Sequence, residues 1–197
     1  MWLFKKNVEF LKYVLDVTLK DVDVQAGYPT WSGIHELGLE EKPGVQKGVT
    51  WCNRYVERVM RKLGYNVDVM LNPNPVTKKP DIGWTSANSM VKNLLENRKV
   101  FQIPEWFAQK LANLGVGVVI GARGSGKSGH VGVVYPHEWN PIMGVFVAQA
   151  GGFVGKYFKN NKNCFNVEGI EEPYYFVLRR NEDGKTIRRI GKEAYFC

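Results

Sequence analysis

Cysteine is scarce in this chain, and long apolar runs are missing. The three cysteines are Cys52, Cys164 and Cys197, and no two of them form a C-x-x-C pair. An odd number without that spacing predicts neither a disulfide framework nor a zinc knuckle, and at least one thiol should be free. No segment approaches the run of about 18 apolar residues that a membrane span requires, so no membrane span is expected.

The amino-terminal segment lacks the features of a secretory signal, because lysines and a glutamate interrupt its apolar residues and no small-residue cleavage site follows. Its apolar residues instead recur at helical spacing, at Phe4, Val8, Leu11 and Leu15. This pattern predicts an amphipathic packing helix. We therefore expect a protein that is made in the cytoplasm without a signal peptide.

Acidic residues are outnumbered by basic ones, 19 to 27, which gives a formal net charge of +8. Such a balance predicts an anionic partner or surface, and nucleic acid, anionic lipid and a bacterial wall polymer would each satisfy it. The positive residues are scattered along the chain, and no RNA-binding or helix-turn-helix signature accompanies them. The pattern favours a diffuse basic surface, and no nucleic-acid partner is expected.

The order of local patterns predicts an α+β fold in which helices pack on an antiparallel sheet. Helical patterns occur in TWCNRYVERVMRKLGYN, TSANSMVKNLLEN and PEWFAQKLANLG, and strand patterns in VGVVIG, HVGVVYP, VFVAQAG, YYFVLRR and KTIRRI. Residues 66–83 are rich in proline and asparagine and predict a long surface loop. We expect residues 1–44 to form a helix with an irregular lead-in, and residues 45–197 to form one compact domain that is a monomer.

Residues 121–128 match the nucleotide-binding pattern G-x-x-x-x-G-K-S, from Gly121 to Lys127 and Ser128. A phosphate-binding loop of this kind needs a strand before its glycines and a helix after its Lys-Ser pair. The strand pattern is present, but GHVGVVYP follows Ser128 and predicts a second strand. The segment is therefore expected to be the exposed, basic loop of a hairpin.

That loop leads to His130, which opens the second strand of the predicted hairpin. Cys52 lies in the first turn of a predicted helix, where the helix dipole favours a thiolate. An adjacent histidine would form a thiolate–imidazolium pair and make the sulfur nucleophilic. A third polar residue should orient the imidazole, and Gln149, in an otherwise apolar strand, is the candidate. Asn140 is a rival, although Pro141 predicts a turn at that position.

These segments resemble a known family. TWCNRYVERVMRKLG, SGHVGVVYP and GVFVAQAGG are similar to the corresponding segments of papain-like cysteine peptidases and amidases of the NlpC/P60 and CHAP type, including phage-associated cell-wall hydrolases. The resemblance covers roughly residues 45–155. It implies a papain-like fold, Cys52 as nucleophile, His130 as general base and then acid, and Gln149 as orienting residue. It also implies peptidoglycan as the partner and no cofactor.

Other residues are weaker candidates. The Cys52 amide is a candidate oxyanion donor, and Gln46 or Tyr28 would supply a side chain to the same site. Trp51 and Trp84 are candidates for lining a substrate groove. The segments HELGLEE and HEW suggest a metal site formed by His35, Glu36, His137 and Glu138. Neither segment has a second histidine four residues after the first, so no metal is expected. Cys164 and Cys197 are expected to be structural or incidental thiols.

The expected function is peptidoglycan hydrolysis by a Cys-His mechanism, as an endopeptidase or amidase that reaches the wall after release or export, for example as a phage endolysin. The alternative is a nucleotide- or nucleic-acid-binding protein that uses residues 121–128 and the basic surface. A third hypothesis keeps the fold without the reaction, as a transferase or a non-catalytic wall-binding domain.

Overall fold

The computed structural model describes residues 2–20, 52–124, 129–150 and 153–181. Within them the chain forms four α-helices and six strands: α1 (Trp2–Leu19), α2 (Cys52–Lys62), α3 (Ala87–Glu96), β1 (Phe101–Ile103), α4 (Glu105–Ala112), β2 (Val119–Ala122), β3 (His130–Val134), β4 (Phe146–Gln149), β5 (Gly155–Phe158) and β6 (Tyr174–Val177). Two short 3-10 helices, Val67–Met70 and Ile82–Trp84, lie between α2 and α3. The predicted α+β class is therefore confirmed.

The six strands form one antiparallel sheet in the order β1-β6-β2-β3-β4-β5. β2 and β3 are consecutive in the chain and pair from Val119 with Val133 to Ala122 with His130. The hairpin that the sequence predicted between these strands is present, and residues 125–128 of its loop lie outside the described residues. The pairing places His130 at the loop end of the hairpin, beside the last residue of β2.

One face of the sheet is covered by α1, α2 and α3. The apolar residues of α2 recur at helical spacing, so Tyr55, Val56, Val59 and Met60 share one fully buried side. They belong to the same core as Leu11 and Leu15 of α1 and as Val131 and Val133 of β3. Burial of this apolar surface holds α2 against β3. The helix that begins at Cys52 and the strand that begins at His130 are therefore packed as one unit.

The opposite face carries a second, smaller core. α4 contributes Ala108 and Ala112, and the sheet contributes Val134 and Val147 among others. Phe165, from the segment that follows β5, completes this layer and is 5% exposed. The sheet is thus covered on both faces, which explains why β2 is buried at every position.

α1 also contacts the sheet through a polar cluster at its carboxyl-terminal half. Asp16 accepts hydrogen bonds from Lys156 Nζ and from the Tyr135 hydroxyl, both at 3.2 Å. Because the ion pair is well exposed, it adds little to stability. The buried leucines of α1 are the stronger attachment. The predicted boundary between residues 44 and 45 lies outside the described residues.

The local patterns were wrong or incomplete in three places. Residues 66–83 do not form a surface loop throughout, because Val67 and Met70 are buried in the first 3-10 helix. β1 was missed since it has three residues, too few for an alternation to be recognised. β5 was missed since it is an edge strand that includes Gly155 and the exposed Lys156. The predicted strand KTIRRI lies outside the described residues.

Among the described residues, no helix has both the length and the apolar character needed to cross a bilayer.

Gly121, the first glycine of the P-loop-like pattern, has a packing role inside β2. A β-carbon there would come within 2.7 Å of Val91 Cγ2 on α3 and 3.1 Å of Val131 Cγ1. We expect Gly121→Ala to lower the free energy of unfolding by about 1–3 kcal/mol, because α3 must move off the sheet. Denaturant unfolding measures this loss.

Gly83→Ala is the matched control. Its β-carbon would meet a single flexible neighbour, the Asp81 carboxylate, at 3.2 Å, so the expected loss is below about 1 kcal/mol. Equal stabilities for the Gly121→Ala variant and the unmodified chain would contradict the packing role.

Candidate active site

Cys52 is the first residue of α2 and is partly buried against the larger core. The next residue, Asn53, holds the start of the helix in place: its side-chain oxygen accepts from the Arg54 amide at 3.0 Å, and its amide nitrogen donates to the Thr85 carbonyl. Thr85 is buried, and its hydroxyl accepts from the Asn72 amide at 2.8 Å. The helix start is therefore tied to the turn that precedes α3.

His130 is positioned by a close approach between the hairpin and α3. The Asn88 side-chain oxygen accepts a hydrogen bond from the Gly124 amide at 3.0 Å. A β-carbon on Gly129 would lie 2.2 Å from that same oxygen and 2.8 Å from the Ala122 carbonyl oxygen. Residue 129 must therefore be glycine if α3 is to close the base of the loop next to His130.

Gln149 ends β4, the strand beside β3. Val133 pairs with Ala148, so the antiparallel register puts Gln149 across from Gly132 and diagonal to His130 on the same face. A β-carbon at Gly132 would approach Val147 Cγ1 to 2.7 Å and the Ala148 carbonyl oxygen to 3.1 Å, both on the strand that carries Gln149. Glycine at this position therefore lets β4 pack closely against β3 next to Gln149.

The hydrogen bonds of Gln149 determine which tautomer of His130 is present. Its amide nitrogen donates to the Asn163 carbonyl at 2.5 Å and to the Phe153 carbonyl at 3.4 Å. Its Oε1 therefore faces His130 Nε2, at 2.7 Å. Because an amide oxygen only accepts, His130 Nε2 must carry a proton and donate. The other ring nitrogen, Nδ1, is left to interact with Cys52.

The thiol and the imidazole shift each other's pKa in opposite directions. Burial alone would raise the pKa of Cys52, but the hydrogen bond and the charge of His130, with backbone hydrogen bonds at Val131 and Asn53, lower it. Burial alone would lower the pKa of His130, but the hydrogen bond and the charge of Cys52, with the bond to Gln149, raise it. Both shifts favour a thiolate–imidazolium pair.

Cys164 provides an internal comparison. It is a buried free thiol in the second core, and burial raises its pKa to about 12. A buried thiol without an adjacent cation therefore stays protonated, whereas one beside an imidazole ionises. The chemistry of the pair can activate a sulfur nucleophile and return a proton to a leaving group.

The other predicted site residues are placed as follows. Trp84 is partly exposed and precedes Thr85, so it lies close to the start of α2. Asn140 is in a turn, where its side-chain oxygen accepts from the Ile142 and Met143 amides. Trp51, Gln46 and Tyr28 lie outside the described residues, and so do His35, Glu36 and Cys197.

Sequence patterns missed several residues that contact the site. Asn53 and Asn88 position Cys52 and the hairpin, as described above. Asn163 binds the Gln149 amide, and the Phe165 ring lies 4.8 Å from the His130 ring at an interplanar angle of 52°. The only available signal was the polar run NNKNC before Phe165, which is typical of a turn but does not say what the turn contacts.

Within the described part of the chain, no three His, Cys, Asp or Glu side chains are grouped so as to hold a metal ion. His137 instead packs on the aromatic rings of Phe146 and Phe158, at 4.3 and 5.3 Å. The P-loop pattern also lacks its helix, since β3 begins at His130, two residues after Ser128.

In comparisons with known proteins, no family model matches this chain and no curated protein sequence matches it.

The pKa of Cys52 is lowered and the pKa of Cys164 is raised, which predicts selective alkylation of Cys52. In a Cys197→Ser background at about pH 6, iodoacetamide should label Cys52 and spare Cys164. The pKa of Cys52 is lowered, so a thiolate fraction persists where an ordinary thiol is protonated, while Cys164 stays neutral. Peptide mass spectrometry measures the label at each site. In His130→Ala only the backbone hydrogen bonds at Val131 and Asn53 still oppose the effect of burial, and the Cys52 rate should fall at least about tenfold. Equal labelling of both thiols would contradict the ion pair.

Replacing Gln149 separates its orienting role from its packing role. Gln149→Leu removes the acceptor for His130 Nε2, so the pKa of His130 should fall and that of Cys52 should rise. We expect severalfold slower alkylation of Cys52 at about pH 6, and a loss of about 1–3 kcal/mol in unfolding free energy from the unpaired carbonyls.

Gln109→Leu is the control for this change. Gln109 is equally buried and also bridges backbone groups, donating to the Tyr135 carbonyl and accepting from the Phe146 amide. It should lose comparable stability and keep the Cys52 alkylation profile. A shift in both variants would mean that the effect is a general loosening of the core.

Proposed function

We propose that this chain is a papain-like cysteine hydrolase that cleaves peptide or amide bonds in peptidoglycan. The observation that carries the proposal is the contact network of three residues, Cys52, His130 and Gln149. The three residues follow one another in the chain in this order, on a helix start, a strand start and the neighbouring strand. The network is supported from both sides of the sheet, and its pKa shifts favour a reactive sulfur.

In the proposed reaction the Cys52 thiolate attacks the carbonyl carbon of the scissile bond. The C–N bond of the resulting tetrahedral intermediate breaks, and His130 Nδ1 gives its proton to the departing amine. An acyl group then remains as a thioester on Cys52. Water, deprotonated by the now neutral His130, attacks this thioester and releases the carboxylic acid, and the proton returns the pair to its starting state. Gln149 keeps Nε2 protonated throughout.

The negative charge that develops on the carbonyl oxygen in the tetrahedral intermediate has to be stabilised by a hydrogen-bond donor. The Cys52 amide, at the amino terminus of α2, is the proposed donor, because the first amides of a helix have no partner within it. Gln46 and Tyr28 stay as proposed side-chain donors. Trp84, partly exposed near the helix start, is proposed to line the substrate groove together with Trp51.

Peptidoglycan is proposed as the substrate on two grounds. The segments around the three residues resemble cell-wall peptidases and amidases of the NlpC/P60 and CHAP type, and the net charge of +8 favours an anionic polymer. Synthesis in the cytoplasm, monomeric state and later access to the wall belong to the same proposal. The nucleotide-binding alternative has no support from the geometry, because a strand takes the place of the helix that phosphate binding requires.

The proposal predicts which variants cut the wall. Unmodified protein and Lys127→Ala should release fragments with new amine ends from purified peptidoglycan, while Cys52→Ala should release none, because only the last lacks the nucleophile. Mass spectrometry of the released fragments identifies the peptidoglycan bond that is cleaved. Walls from several bacteria serve as substrates, and Cys164→Ala is the matched cysteine control. Activity that survives Cys52→Ala, or nucleotide binding that Lys127→Ala removes, would overturn the proposal.

A further inference from the structure

The segment that follows β5 forms a compact turn against the second core, and we call residues 159–165 the 159–165 turn. It is held by its own hydrogen bonds: the Cys164 amide donates to the Asn161 carbonyl at 2.8 Å, and the Phe165 amide donates to the Lys159 carbonyl at 3.1 Å. The Asn161 side-chain oxygen accepts from the Asn163 amide at 2.9 Å. These bonds fix the positions of the Asn163 carbonyl and the Phe165 ring relative to each other.

The turn makes two separate contacts with the candidate active site. The Asn163 carbonyl accepts from the Gln149 amide nitrogen at 2.5 Å, which points Gln149 Oε1 toward His130. The Phe165 ring lies 4.8 Å from the His130 ring. Phe165 and Cys164 are both nearly inaccessible, so this side of the Gln149–His130 hydrogen bond is shielded from water. A hydrogen bond in such a low-dielectric place is stronger than one in water.

The turn is attached to the rest of the protein by a buried lysine. Lys159 Nζ lies 2.8 Å from Glu105 Oε2 on α4 and 2.9 Å from Glu172 Oε1, and the lysine side chain is 9% exposed. The Lys159 amide also donates to the Val145 carbonyl at 2.8 Å, next to β4. The turn therefore has fixed positions relative to both α4 and the strand that carries Gln149.

We propose that Phe165 is a positioning residue for His130, and that the 159–165 turn holds the imidazole and the Gln149 amide in their reactive orientation. Phe165 limits rotation of the imidazole through the contact between the two rings, and the turn keeps the Gln149 amide from reversing. The inference rests on the proposed function, because it assigns a supporting role to the same pair of reacting groups.

The groups that titrate near His130 are few in the described part of the chain. Cys52 interacts with it from α2, and Gln149, from β4, is neutral. Cys164, beside Phe165 in the turn, has a pKa raised to about 12 by burial and stays uncharged. A change in the alkylation profile on altering the turn therefore reports on the Cys52–His130 pair.

Phe165→Leu tests the proposal, since it keeps an apolar side chain but removes the ring. Alkylation of Cys52 by iodoacetamide, in the Cys197→Ser background, should slow by about tenfold at about pH 6, and its pH midpoint should move upward. On peptidoglycan, kcat should fall with little change in KM. Phe158→Leu is the matched control, because its ring contacts His137, an exposed histidine outside the pair. It should leave the Cys52 profile unchanged.

A second pair of variants keeps the test decisive if Phe165→Leu does not fold. Asn161→Ala removes the acceptor for the Asn163 amide, and Asn161→Asp keeps an acceptor there. The alanine variant should show the upward shift of the Cys52 midpoint, and the aspartate variant should restore most of the unmodified profile. A profile unchanged in both Phe165→Leu and Asn161→Ala, with only thermal stability lowered, would overturn the proposal.

Alkylation needs no substrate, so the two proposals fail in different ways. A shifted Cys52 midpoint in a protein that cuts no peptidoglycan supports the positioning role and rejects the proposed substrate. Peptidoglycan cleavage with the same midpoint and kcat in unmodified protein and Phe165→Leu supports the hydrolase and rejects the positioning role.

Discussion

A buried amide has to find protein partners for its donors and its acceptor, and Gln149, at 1% exposed, meets this constraint in one orientation. Two carbonyls take its N–H groups, so its oxygen faces His130. That oxygen keeps His130 Nε2 protonated and leaves Nδ1 for Cys52. The ionisation of the Cys52 sulfur therefore depends on the hydrogen bonds of Gln149, which acts on the sulfur through His130. A polar residue in an apolar strand would be costly to bury without this arrangement.

The network lies where two cores meet. α2 brings Cys52 from the larger core on one face of the sheet, and the 159–165 turn brings Phe165 from the smaller core on the other. Burial acts on both free thiols to raise the pKa, but only at Cys52 do neighbouring groups outweigh it. Cys164 has apolar neighbours and its pKa rises, whereas Cys52 has an imidazole and backbone amides and its pKa falls. The adjacent imidazole, rather than burial, therefore decides the direction in which the pKa of Cys52 shifts.

Glycines at three positions allow the elements to approach one another. Gly121 lets α3 pack on β2, Gly129 lets Asn88 close the hairpin, and Gly132 lets β4 pack closely against β3. Two of these three belong to or adjoin the segment that spells a P-loop. In a phosphate-binding loop, glycines serve to bring backbone amides to a ligand. Here the glycines allow protein surfaces to pack together next to His130. They have this role because a strand follows them, in place of the helix that phosphate binding requires.

Local features of the sequence were sufficient for the fold class, the helix that starts at Cys52 and the strands that contain His130 and Gln149. Helical and alternating periodicities depend only on residues that are close together in the chain, so they can be recognised in the sequence. The contacts of Asn88, Asn163 and Phe165 were decided by the tertiary structure alone. These contacts join residues that are far apart in the chain. They depend on the register of the strands and on the 159–165 turn, which Lys159 attaches to two glutamate carboxylates. No periodicity encodes such a contact, because it exists only after both cores have packed on the sheet.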